Sequence, residues 1–171
     1  MSETNLVIRP VDDADLAAVA EIARHTLRDF VVESGGDADL FNVDFLRSTL
    51  DASTILVAVD DDEDQVVGYL QFQLRPPTLI VNGAAMRPAW QRRGVGTRLF
   101  GRAVERATEA DCTRVDISVQ PANESVYQLY LRLGFAEGDN PTGWNQELSM
   151  DIDRARRLLA ERQSAPTLSE S

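Results

Sequence analysis

An α/β or α+β sandwich is the fold class this sequence predicts, on three observations. Helical and strand-like patterns are interleaved along the chain, which disfavours a bundle or a barrel. The 171 residues, 43% of them hydrophobic, suit one domain with a proper core. No apolar run approaches the roughly 18 residues of a membrane span; Leu79-Ile80-Val81 breaks at Asn82.

The elements follow in order. Residues 6–9 read as a first strand, stopped by Pro10. Asp12 or Asp13 can cap a helix whose apolar positions, Leu16, Val19, Ala20, Ala23, Leu27 and Phe30, form one stripe. His25 lies about 180° from Leu16 at ~100° per residue, so it should face water. With the only histidine turned outward, a Ser-His-Asp triad has no base. Residues 33–39, with Gly35-Gly36, form a loop, and residues 43–50 a short second helix. Residues 54–59 and 66–74 are β-rich and flank Asp60-Asp61-Asp62-Glu63-Asp64, which reads as a hairpin with a solvated tip rather than a cation site. After Pro76-Pro77, residues 78–86 form another strand. A helix over 94–110, a strand over 114–119 and a helix over 124–133 come next. Gly134 closes that last helix as its C′ residue. Residues 144–152 alternate as a final strand. Residues 151–162 place Ile152, Ala155, Leu158 and Leu159 at helical spacing; such a helix covers a sheet edge or meets a second subunit in a homodimer. Residues 163–171 are polar, with too little apolar content to fold. The domain is therefore expected over 1–152, with a helix and tail over 153–171.

Charge excludes several chemistries. There are 28 acidic residues against 17 basic ones, a net charge of −11, and every basic residue is arginine. Without lysine there is no Walker-type phosphate loop, kinase-like catalytic lysine or Schiff base. One histidine and one cysteine exclude a Cys/His zinc site. Cys112 alone cannot form an intramolecular disulfide. Residues 1–10 lack the basic and apolar regions of a signal peptide. The expectation is a soluble, cytoplasmic protein that needs no metal and binds neither membrane nor nucleic acid.

The acidity is uneven. Six arginines and one acid, Glu105, lie between Arg87 and Arg106, so that window carries +5 and the rest −16. Within it, Met86-Arg87-Pro88-Ala89-Trp90-Gln91-Arg92-Arg93-Gly94-Val95-Gly96-Thr97 runs from a strand end through a glycine-bearing loop into a helix. Backbone N–H groups at such a helix start form an anion cradle. Glycine lets a pyrophosphate approach the backbone. It is not the Rossmann fingerprint, because Leu99 stands where the third glycine belongs. Arg92 and Arg93 suit phosphate contact; Arg98, Arg102 and Arg106 read equally well as a solvated helix face.

A second segment, residues 123–135, carries Asn123, Tyr130 and Gly134-Phe135. By itself Tyr130 would be a core aromatic. Together, Gln91-x-x-Gly94-x-Gly96 and, 27 residues after Gly96, Asn123-x₆-Tyr130-x₃-Gly134-Phe135 resemble the acetyl-CoA signature of the GNAT N-acetyltransferase superfamily. The resemblance is most specific over residues 79–135. It implies a mixed, mostly antiparallel central sheet flanked by helices on both faces, and acetyl-CoA as co-substrate. The implied cofactor contacts are Met86, whose N–H is the usual donor to the thioester carbonyl, then Gln91, Arg92, Arg93, Gly94, Val95, Gly96, Thr97 and Asn123. Tyr130 matches the general acid that protonates the departing thiolate. The acceptor is then a primary amine of a small molecule, peptide or protein.

The general base departs from the pattern. Ser118 stands where members acting on protein N-termini often carry glutamate. Asp116, on the same strand face, and Glu147, on the last strand, are the remaining acids that could act through water; both could equally be structural. A catalytically silent acyl-CoA sensor of the same fold is the alternative reading. The 17 aspartates against 11 glutamates, with no lysine, resemble proteins adapted to high cytoplasmic salt. A bias to arginine codons explains the missing lysine but not the aspartate.

Overall fold

The computed structural model describes residues 5–33, 42–119, 130–131, 134–137 and 146–164. Its strands are β1 (Leu6–Pro10), β2 (Thr54–Asp60), β3 (Gln65–Arg75), β4 (Thr78–Met86), β5 (Arg114–Val119), β6 (Ala136–Glu137) and β7 (Gln146–Asp151). They form one seven-stranded sheet in the order β1-β2-β3-β4-β5-β7-β6. Every neighbouring pair is antiparallel except β4 and β5, which run parallel. The described helices are α1 (Leu16–Glu33), α2 (Val43–Thr49), α3 (Val95–Glu109) and α4 (Ile152–Ser164).

Helices cover both faces of the sheet, giving two buried clusters. On one face, Leu16, Val19, Ile22 and Ala23 of α1 and Leu46 of α2 pack on Ile55, Val57, Tyr69 and Ala85. On the other, Val95, Leu99, Ala103 and Ala107 of α3 pack on Leu56, Phe72, Leu79 and Val115, and Ile152 and Ala155 of α4 join them. Strand β2 sends alternate residues into each cluster, which is why its sequence is an unbroken apolar run. The α4 helix thus shares the core of the domain, packing against α3, β5 and β7.

Pro10 is the last residue of β1 rather than its stop, paired with Leu56; β1 is an edge strand, where a missing N–H is tolerated. A 3-10 turn, Asp13–Asp15, leads into α1, and the Asp12 N–H donates to Asp15 Oδ2 at 2.8 Å. Arg9 grips the same carboxylate through Nη1 at 2.7 Å and Nη2 at 3.2 Å. The Asn42 side chain caps α2, accepting from the Phe45 N–H at 2.8 Å. The acidic hairpin tip is as expected at Asp61, Asp62, Glu63 and Asp64, all exposed. Asp60 is buried and accepts from the Asp62 N–H at 3.1 Å. His25 is exposed.

The feature that positions the site is a split in the sheet. Only Thr78, Leu79, Ile80 and Val81 of β4 pair with β5, opposite Arg114, Val115, Asp116 and Ile117. On its other side β4 stays paired with β3 up to Met86. Between the Phe72–Val81 and Gln71–Gly83 pairs the register shifts, leaving Asn82 as an extra residue. Such a bulge bends the strand and increases its twist. Beyond it, β4 no longer pairs with β5.

Candidate active site

The end of β4 offers unpaired main chain to the split. The Arg87 N–H bonds the Val67 carbonyl at 2.8 Å. In an antiparallel ladder the next residue along points its N–H and C=O the other way. Met86, opposite Gly68, and Ala84, opposite Leu70, therefore direct their main-chain groups away from β3. Gln91 Nε2 reaches the Met86 carbonyl at 3.4 Å. The Met86 side chain is held between two glycines. A Cβ on Gly68 would stand 3.0 Å from Met86 Cγ and Sδ, and one on Gly96 would stand 3.0 Å from Met86 Cε. Those two missing side chains seat β3, β4 and the start of α3 closely together.

The loop into α3 passes through a 3-10 turn, Pro88–Trp90. Two residues then take left-handed backbone, Arg92 at φ 63° and Gly94 at φ 80°. Gly94 is the N-cap of α3 and brings no capping side chain. A Cβ built on it would meet nothing within 4 Å. The amides of Val95 and Gly96 open the first turn, where the helix supplies no carbonyl for them. The result is a helix start whose N–H groups border open space, at the positive end of the helix dipole.

The arginine island of the sequence divides in space. Arg87 Nη1 pairs with Glu21 of α1 at 2.7 Å and Arg87 Nε donates to the Val66 carbonyl at 2.8 Å. Arg98 reaches the Leu6 carbonyl at 3.3 Å, and Arg102 pairs with Glu105 at 3.3 Å. Arg92 and Arg93 remain exposed on the loop. Arg93 stacks over the Trp90 ring at 4.2 Å, which fixes its guanidinium beside the helix start.

Tyr130 and Leu131 are helical, and the chain leaves that helix through Gly134 at φ 105°. The Phe135 N–H bonds the Tyr130 carbonyl and the Gly134 N–H bonds the Leu131 carbonyl, both at 3.0 Å. These two bonds make a complete Schellman motif with Gly134 at C′. Its apolar contact is the Tyr130–Phe135 pair itself, edge to face at 5.4 Å and 71°. The glycine of the sequence pattern therefore fixes the turn on which Tyr130 stands. Tyr130 packs against the α3-side core, as do Met86 and Trp90. Burial raises its phenol pKa above the ordinary 10.0, so the group keeps its proton.

A sheet that splits at β4, a side-chain-free helix start beside the split and a tyrosine on a capped helix agree with the sequence resemblance. The model of the acetyltransferase (GNAT) family matches residues 17–135. The chain belongs to the GNAT acetyltransferases. Solved structures share the fold. PaiA N-acetyltransferase from Thermoplasma acidophilum, in complex with coenzyme A, superposes with a TM-score of 0.71 at 16% identity, over 88% of this chain and 99% of that one. YncA from Salmonella typhimurium, with acetyl-CoA, gives 0.61 at 23% identity over 88% and 95%. A spermidine N-acetyltransferase SpeG chimera from Vibrio cholerae and hSSAT gives 0.64 at 16% over 88% and 98%. No curated protein matches the sequence.

The remaining expected residues are placed as follows. Asn123 lies outside the described residues of this GNAT domain, as does most of the helix expected over 124–133. Asp116 pairs with Ser149 across β5 and β7, and Glu147 pairs with Ser118, one residue beyond the last β4–β5 pair. Asp116 Oδ1 accepts from Arg114 Nε and from Ser149 Oγ, both at 2.8 Å. That carboxylate is engaged within the sheet. Glu147 is half-buried and stands at the level where the sheet opens. Among the described residues, no group of His, Cys, Asp or Glu could hold a metal, and no helix is long and apolar enough to cross a membrane. Sequence reasoning missed Gly68 and Tyr69 of β3 and Gly83 of β4. Their importance depends on strand pairing, which carries no local signal.

Proposed function

We propose that this GNAT domain transfers an acetyl group from acetyl-CoA to a primary amine of a small molecule, peptide or protein, directly within a ternary complex. The observation that carries the reading is the split itself: unpaired β4 main chain at Met86 lies beside the bare start of α3. The residues present fit the co-substrate. The opening where a Gly94 side chain would stand, with the Val95 and Gly96 amides and Arg92 and Arg93 around it, suits a pyrophosphate. Gln91 and Thr97 flank that loop, and Asn123 is assigned to the same ligand by its place in the motif. Neighbours that hold coenzyme A or acetyl-CoA, and one named for spermidine, support the choice of acyl donor and of an amine acceptor.

Acetyl-CoA supplies an activated thioester. The Met86 N–H donates to the thioester oxygen as charge builds there. Tyr130 gives its proton to the leaving sulfur. A phenol near pKa 10 protonating a thiolate near 8.5 is uphill by about 2 kcal/mol. The burial that raises the Tyr130 pKa also disfavours a thiolate placed beside it, so the gap does not widen in proportion. Glu147, at the mouth of the split, is the better placed of the two acids to take the amine proton through water. Asp116, two residues before Ser118 on β5, is the second candidate.

A panel of primary amines assayed by release of free CoA thiol, at low and high salt, tests the reading. Amine-dependent thiol release is expected. Acetyl-CoA binding without turnover across the panel would instead identify an acyl-CoA sensor.

A further inference from the structure

The split edge of β4 can be approached from two sides, and the structure distinguishes them. Met86 faces the α3 side, wedged between Gly68 and Gly96. A co-substrate anchored at the α3 start therefore comes to the edge from that side. The attacking amine has to come from the other face, the one covered by α1.

On that face stands Tyr69 of β3, paired with Ala85. Its side chain is packed in the α1-side cluster and is 3% exposed. Among the described residues its hydroxyl makes no hydrogen bond, and burial pushes the phenol pKa well up. A buried hydroxyl without a partner is uncommon and calls for an explanation. The group it approaches is Gly83: a Cβ there would lie 3.9 Å from Tyr69 Oη. Gly83 is two residues before Ala85, so it shares the Tyr69 face, and it lies just past the bulge at Asn82, on the part of β4 that has left β5. Its missing side chain leaves room for a methyl-sized group 3.9 Å from the hydroxyl, and Gly83 is itself partly exposed.

We propose that Tyr69 Oη and the space beside Gly83 form the subsite for the acceptor's primary amine. The neutral amine donates one N–H to Tyr69 Oη, which leaves its lone pair free to face the thioester carbon at the β4 edge. Tyr69 remains a neutral phenol throughout and neither gains nor loses a proton. The assignment rests on the acetyltransferase reading above, and its test includes a readout that needs no turnover.

The full chain, labelled with ¹³C at tyrosine Cζ, is titrated with methylamine in the presence of CoA. Tyr69→Phe assigns the Tyr69 resonance. A saturable shift of that resonance is expected in the wild type. It should be weakened at least tenfold in Gly83→Ala, whose methyl sits in ordinary van der Waals contact with Oη and so leaves the fold intact. No shift, or an equal shift in Gly83→Ala, overturns the subsite. In kinetics, Tyr69→Phe should raise the KM for methylamine about tenfold, as expected for one lost hydrogen bond. Its KM for acetyl-CoA and its Tm should stay unchanged. An unaltered amine KM, or a lower Tm with both constants disturbed, identifies Tyr69 as purely structural and overturns it too. A shift without any acetyl transfer by the wild type would leave the subsite standing and sink the acetyltransferase reading instead.

Discussion

Tyr130→Phe tests the proposed chemistry most directly. The substitution removes one oxygen and keeps the ring, so the edge-to-face contact with Phe135 at 5.4 Å survives. The Schellman turn at Gly134 involves only main chain, so the helix end should not move. Stability should therefore change by less than about 1 kcal/mol. The rate should change far more. Without the phenol, water is the next acid, and its pKa is near 15.7. Against a thiolate near 8.5, protonation by water is uphill by about 10 kcal/mol, compared with about 2 for tyrosine. The full difference of about 8 kcal/mol is a ceiling, because proton transfer is only partly advanced in the transition state and a thiolate can depart unprotonated. Half of it, about 4 kcal/mol, corresponds to roughly a 10³-fold loss in kcat, within the usual span for a general acid. The assay is kcat from free-thiol release at saturating acetyl-CoA and amine, with acetyl-CoA affinity measured by calorimetry. Affinity should hold within about threefold, since Tyr130 acts on the sulfur and not on the pyrophosphate. A donor whose thiol is more acidic needs less help, so an aryl thioester should recover much of the lost rate. A kcat within threefold of wild type, or no recovery with the aryl donor, would refute the general-acid role.

Other outcomes follow from the same geometry. Gly94→Glu should abolish acetyl-CoA binding in calorimetry while circular dichroism stays unchanged. It sets a carboxylate at the anion cradle and adds about 1–2 kcal/mol of left-handed backbone strain at φ 80°; normal affinity would refute the cradle. Gly68→Ala should cost about 1–3 kcal/mol in denaturant unfolding, because the new Cβ meets Met86 Cγ and Sδ at 3.0 Å and the Ala85 carbonyl at 3.2 Å. Adding Met86→Ala should recover part of that loss. Glu21 is held below its ordinary 4.5 by the hydrogen bond and charge of Arg87. A depressed carboxyl stabilises fully above its unfolded pKa and loses that contribution as pH falls through the folded value. Glu21→Gln should thus lower the unfolding free energy at pH 7, by less than about 1 kcal/mol for so exposed a pair, and the difference should shrink as pH falls below 4.5 through the folded value.

The sequence was most legible where local chemistry sets an element. Both ends of the strand expected over 78–86 and of the strand over 114–119 coincide with β4 and β5. The turn at Gly94 and the cap at Gly134 were readable because glycine marks both, and both take a positive φ, 80° and 105°, that glycine adopts without steric cost. What stayed hidden depends on partners far away in the chain. The bulge at Asn82 follows from the pairing of β4 with β3, and the split from β5 leaving it, so neither appears in the alternation of residues 78–86. A second register shift, between Ala58 and Val59, breaks the period of β3 and conceals which face Tyr69 takes. The two-residue β6 is too short to carry a pattern. The positive window divides for the same reason. Arg87 counts toward its charge, but α1 brings Glu21, 66 residues away in sequence, to its guanidinium.

The acidity outside that window leads to a prediction about folding rather than catalysis. Acids such as Asp13, Asp15, Glu21 and Asp116 each meet an arginine at contact distance. By contrast, Asp61, Asp62 and Glu63 stand exposed and adjacent at the hairpin tip. With a net charge of −11, repulsive pairs outnumber attractive ones, and they act over longer distances than the contact pairs do. At 0.01 M salt the screening length is about 30 Å, so such repulsion spans the domain; at 1 M it is about 3 Å, and only contact pairs persist. Raising KCl from 0.01 M to 1 M should therefore raise Tm, chiefly by relieving repulsion that the folded state concentrates. Replacing Asp61, Asp62 and Glu63 by their amides should raise Tm at low salt and shrink the salt increment, with little effect at 1 M. A Tm that falls on adding KCl would show that the ion pairs outweigh the repulsion, and the acidic surface would then need a reason other than a saline solvent.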